Sequence, residues 1–157
     1  MNKYAFILLL FLCSITSVFA QLKSYSFEKA EQLSKENPRP FVVFIHTSWC
    51  KYCQLMHNTT FKDQGIINVL NSDFYFISLD AEVEDDVVFH NRKFKFQATG
   101  PSSGINELAV ELGTIDDQLV YPTVTILDMD NDILYQKASY QKATTLMAVL
   151  IKNRNHK

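Results

Sequence analysis

The chain has 157 residues, 47% of them hydrophobic and 20% charged, and carries a net charge of −2 at pH 7. That length suits one compact domain with a real core, and the weak negative charge points away from nucleic acid or an anionic membrane surface as a partner. Three cysteines are too few for a structural disulfide framework.

Residues 1–20 read as a cleaved signal peptide. Lys3 supplies the positive end, Ala5 to Leu12 the apolar stretch, and Val18-Phe19-Ala20 a cleavage signal before Gln21. The apolar stretch is short for a membrane span, and a retained membrane anchor is the alternative. Residues 21–157 are then one mature domain. Cys13 leaves with the leader, so the only bridge available within the mature chain joins Cys50 and Cys53.

Ser26 caps a predicted helix running to about Asn37, with Phe27, Ala30 and Leu33 on one face, and Pro38 and Pro40 end it. Phe41 to His46 is almost uniformly apolar, the pattern of a strand buried on both faces. Trp49-Cys50-Lys51-Tyr52-Cys53 opens the next helix, which is expected to turn Leu55, Met56 and Phe61 inward. After a break near Lys62 to Gly65, a shorter helix carries Ile66, Ile67, Val69 and Leu70. Phe74 to Leu79 is a second central strand, ending at Asp80.

Residues 81–105 are the least regular part. Within them Val87-Val88-Phe89 and Phe94-Lys95-Phe96 flank His90-Asn91-Arg92-Lys93 as a hairpin pattern. Asn106 to Leu112 is a short helix with Gly113 as its expected C-cap. Thr123 to Leu127 and Ile133 to Lys137 are strands joined across Asp128 to Asp132. A last helix, about Gln141 to Asn153, points Leu146, Val149 and Leu150 at the core. This order predicts an α/β fold, a central mixed sheet with helices on both faces. It places the cysteines at the carboxyl end of a central strand, where chemistry collects in such sheets.

A thiol at the first turn of a helix, with a second three residues on, suits disulfide exchange. Helix N-terminal amides and the charge of Lys51 stabilise a Cys50 thiolate, and Cys53 sits one turn further along. Other readings carry less. His57 offers a third ligand beside the two thiols but no fourth is visible, so no metal is expected. Gln54 excludes a C-x-x-C-H haem attachment. His46, at the strand end, is either a tuning and proton-exchanging group or ordinary end-of-strand polarity. Asp128-Met129-Asp130-Asn131-Asp132 imitates a calcium loop, but Ile133 and Ser139 stand where Gly and Glu are needed, so a polar turn is expected. Asn58-Thr59-Thr60 fits a glycosylation sequon, against whose use its helical position argues.

Trp49 to Cys53, taken with Tyr121-Pro122-Thr123 at the start of a later strand, resembles the thioredoxin-fold superfamily over about residues 25–153. The stretch from Cys53 through His57 and Phe61 to Asp80 is similar to exported bacterial members, including domains linked to membrane thiol-electron transporters. The resemblance implies a thioredoxin fold with Pro122 in the cis form opposite the cysteines. It implies Cys50 as nucleophile, Cys53 as resolving thiol, Trp49 and Tyr52 as an apolar lip, and Tyr121 either offering its backbone to an extended substrate or packing in the core. Two features depart from the family pattern. Phe44 stands where many members carry a buried Asp, and residues 81–105 look like an insertion. The implied function is an exported, periplasmic thiol–disulfide oxidoreductase with no bound cofactor. Its expected partners are cysteine-containing exported proteins, and a membrane transporter would recharge it as a reductase. The alternative is a non-catalytic module holding a partner or metal.

Overall fold

The computed structural model describes residues 20–101 and 103–155; the expected leader lies outside them apart from Ala20. Ser26 Oγ accepts a hydrogen bond from the Lys29 amide at 3.2 Å and starts helix α1 (Phe27–Glu36). Strand β1 (Phe41–His46) leads through a tight turn into α2 (Lys51–Asn58), a single 3₁₀ turn (Thr60–Lys62) and α3 (Gln64–Asp73). The Asp63 carboxylate caps α3, accepting from the Ile66 amide at 3.0 Å. Strand β2 (Tyr75–Asp80) follows, then β3 (Val87–Phe89), β4 (Arg92–Phe94), β5 (Phe96–Gly100) and β6 (Ser103–Asn106). The chain closes with α4 (Glu107–Gly113), β7 (Thr114–Ile115), β8 (Gln118–Leu119), β9 (Thr123–Leu127), β10 (Ile133–Ala138) and α5 (Ala143–Asn153).

The central sheet has the order β10-β9-β1-β2. Strand β1 runs parallel to β2 and antiparallel to β9, so the sheet is mixed as expected. Alternation along β1 supplies both layers of the core. Phe41, Val43 and Ile45 join Phe27, Tyr75, Ile77, Leu108 and Leu112 on the face covered by α1 and α4. Val42 and Phe44 join Met56, Phe61, Leu70, Phe76, Leu146 and Leu150 on the face covered by α2, α3 and α5. Burying each such side chain is worth roughly 1.5–3 kcal/mol, so this double-sided strand anchors everything attached to its end.

Several expectations are corrected. Leu55 is 43% exposed, because α2 turns Cys53 and Met56 inward instead. Residues 81–105 are largely regular: β3 pairs with β4 and β5 with β6, as two successive hairpins. Arg92 and Lys93 lie in β4, so the first turn is only His90-Asn91, both with positive φ (51° and 58°). Phe96 belongs to the second hairpin. Gly113 is the last residue of α4 and has no positive φ. Its small size is what counts, since a Cβ there would lie 2.6 Å from Leu119 Cδ1. The last helix begins at Ala143 rather than Gln141. Between Asp128 and Asp132 the chain forms the expected polar turn. The Asp128 carboxylate accepts from the amides of Asp130 and Asp132 at 2.9 Å each.

Candidate active site

Buried β1 ends at His46, and the turn that follows delivers Cys50 to the N-cap of α2. Its sulfur accepts a hydrogen bond from the Cys53 amide at 3.1 Å, one of the orphan donors of the first helical turn. Cys50 and Cys53 are joined as a disulfide, with Cα atoms 5.2 Å apart. Both are buried, Cys50 at 6% exposure and Cys53 at 3%. Lys51 occupies the first helical position and is exposed, so its charge sits at the positive end of the α2 dipole.

The aromatic residues of the motif stand out from the surface, Trp49 and Tyr52 each at 63% exposure. Trp49 is nevertheless held. Its indole Nε1 donates to both carboxylate oxygens of Glu82 at 3.0 Å, and its ring meets Tyr121 edge-on with centroids 6.0 Å apart. Tyr121 precedes Pro122 across a cis peptide bond, and Pro122 is buried at the entry to β9. Antiparallel pairing of β9 with β1, Thr123 opposite Ile45, carries this segment to the cysteine end of the sheet. The Tyr121 hydroxyl is buried without a hydrogen-bond partner among the described residues. Burial, then the negative charges of Glu82 and Asp80, push its pKa up to about 12.

The inner side of the site is polar. His46 Nε2 lies 2.8 Å from Ser78 Oγ, and the imidazole stacks on Phe44 with centroids 5.2 Å apart. Burial holds the His46 pKa below its ordinary value, partly countered by Asp80, its register partner on β2, and reinforced by His57. His57 is exposed on α2. Among the described residues no three His, Cys, Asp or Glu side chains are grouped to hold a metal ion. The structure thus brings Trp49, Cys50, Cys53, Tyr121 and Pro122 to one end of the sheet, with Lys51 and Tyr52 on the outer face of α2. Sequence reasoning missed Glu82, Thr47 and Ser78. Glu82 is two residues beyond Asp80, in a stretch whose fold no local pattern revealed.

A family model described as a thioredoxin-like domain matches residues 27–153. The chain is 30% identical over 60 residues to the uncharacterized protein B0495.5 of Caenorhabditis elegans. That match covers 38% of this chain and only 8% of that much longer protein. Among solved structures, an oxidoreductase named DsbH superposes with a TM-score of 0.61 at 14% identity, covering 92% of this chain and 94% of that one. A thioredoxin from Thermus thermophilus gives 0.59 at 17% identity, covering 85% and 87%. At such identities these likenesses show a shared fold. No helix among the described residues is long and apolar enough to cross a membrane.

Proposed function

The chain belongs to the family of thioredoxin-like domains; we propose that it is a thiol–disulfide oxidoreductase and that it acts outside the cytoplasm, in the periplasm, as a reductase of cysteines in exported proteins. The observation that carries the exchange chemistry is the pairing of Cys50 and Cys53 at the N-terminus of α2, at the same sheet end as Pro122. In the dithiol state the Cys50 thiolate, favoured by the helix amides and Lys51, attacks a substrate disulfide. A Cys50–substrate bond forms, and the first substrate sulfur leaves with its electron pair. Cys53 then attacks Cys50, the internal disulfide closes, and the second substrate sulfur is released. The substrate gains two electrons and the Cys50–Cys53 pair loses two.

Trp49 and Tyr52 form the apolar lip, and the Tyr121 backbone offers strand-like pairing to an extended substrate. No bound cofactor is required beyond the cysteine pair. Local charge supports the reducing direction. Asp80 and Glu82 lie beside Tyr121, and Glu82 is bonded to the residue preceding Cys50. Negative charge there opposes the thiolate, which favours the oxidised pair and lowers the potential. The leader-like residues 1–20 and the similarity to transporter-linked domains support export and recharging by a membrane thiol-electron transporter.

Replacing Cys53 with Ser tests the reading. The variant should accumulate mixed disulfides through Cys50 with exported proteins, captured by acid quench and resolved by reduction. A non-catalytic module would form none and would keep its partner bound under reducing conditions.

A further inference from the structure

Cys53 must lose a proton before it can attack, and at 3% exposure it has little direct access to bulk water. Phe44 occupies the strand position from which a carboxylate could have taken that proton, and it is itself buried. Alternation along β1 puts the next residue on the same face, His46, toward the cysteines. A cavity of about 280 Å³ lies there, its lining including Phe44, His46, Thr47, Cys53, His57 and Ser78. Thr47 is 2% exposed, and its hydroxyl has no hydrogen-bond partner among the described residues. Imidazole, hydroxyls and thiol around one small space supply the partners that a bridging water needs.

We propose that His46 accepts the Cys53 thiol proton across this cavity as Cys53 attacks the mixed disulfide held on Cys50. The proposal rests on the exchange reading above and adds its proton acceptor. The Cys53 S–H bond breaks and the proton passes to the imidazole. The freed sulfur pair forms the bond to Cys50 Sγ, and the Cys50–substrate bond breaks with its electrons on the leaving sulfur. That thiolate then takes a proton from solvent, and the imidazolium returns its own.

The surroundings fit the task. The charged and titratable groups that face His46 are Asp80 on β2 and His57 on α2. Burial favours the neutral imidazole, the form that can accept, while Asp80 opposite it supports the imidazolium that forms. The Phe44 ring and Ser78 Oγ hold the imidazole in place.

The test mixes the dithiol protein with glutathione disulfide and follows the Cys50–glutathione adduct by rapid acid quench and mass spectrometry. In His46→Gln at pH 7 the adduct should form at the wild-type rate but persist about tenfold longer or more, the scale of a lost proton acceptor. The difference should narrow as pH rises, because hydroxide can then take the thiol proton in place of the imidazole. Equal adduct lifetimes at pH 7 in a folded variant would overturn the proposal. Should the variant not fold, the wild-type protein decides. Adduct resolution must slow as His46, followed by NMR, becomes protonated, and a rate indifferent to that titration would overturn it equally. A wild-type protein that forms no adduct would overturn the exchange reading itself, a separate and distinguishable result.

Discussion

Trp49, the residue before Cys50, meets Tyr121, the residue before cis-Pro122, edge to face, with ring planes at 79°. The contact ties together the segments that border the disulfide, and Glu82 fixes its outer partner. Edge-to-face pairs contribute about 0.5–1.5 kcal/mol beyond the area they bury. A double-mutant cycle of Trp49→Ala and Tyr121→Ala, read by urea unfolding of the oxidised protein, should return a coupling energy of that size. A coupling of zero would mean the rings are neighbours without a mutual hold.

Tyr121 also makes a pH signature. Its folded pKa, about 12, is raised above the ordinary value of 10. A group whose pKa rises on folding adds stability that is complete below its unfolded pKa and lost as pH climbs through the folded one. Stability should therefore fall between about pH 10 and pH 12. Tyr121→Phe should flatten that decline and leave stability at pH 7 undiminished, because the hydroxyl it removes is buried without a partner. Chemical denaturation across this pH range checks both statements. Marked destabilisation of the variant at pH 7 would show that the hydroxyl has a partner after all.

Asn106 pins the two hairpins to the body. It is fully buried, its Oδ1 accepts from the Leu108 amide at 3.0 Å, and its amide donates to the carbonyls of Asp85 and Phe94 at 3.4 Å. Its backbone N–H donates to Ala81 at 2.8 Å. Asn106→Ala removes a helix cap and strands two carbonyls, a loss of about 2–3 kcal/mol. Hydrogen exchange should quicken across residues 81–106, while the Cys50 reaction with glutathione disulfide keeps its rate. Unchanged protection there would mean that the hairpins are held by other contacts.

The central sheet was legible because its strands are short apolar runs, and the first helix start because Ser26 is a strong capping residue; Asn106, read as the first residue of its helix, is the cap before it. The cysteine pair was legible from spacing alone. Leu55 was misplaced because α2 stops at Asn58, so the 3₁₀ turn, and not one continuous helix, brings Phe61 into the core. The tight turns at His90-Asn91 and Asp116-Asp117 reach positive φ without glycine, so the usual hairpin signal was missing. The role of Gly113 depends on Leu119 packing against it from a later strand, which no local pattern encodes. The same holds for the site. Glu82, Ser78 and Thr47 belong to no motif and gain their meaning only where β1, β2 and α2 converge.

The central claim, a reducing thiol pair at Cys50 and Cys53, is tested most directly by equilibrating the protein with defined ratios of reduced and oxidised glutathione. The fraction of dithiol protein at each ratio gives the reduction potential. A value near −270 mV, the potential of a reducing thioredoxin, is the predicted result. A value near −120 mV, about that of a strong periplasmic oxidant, would contradict it.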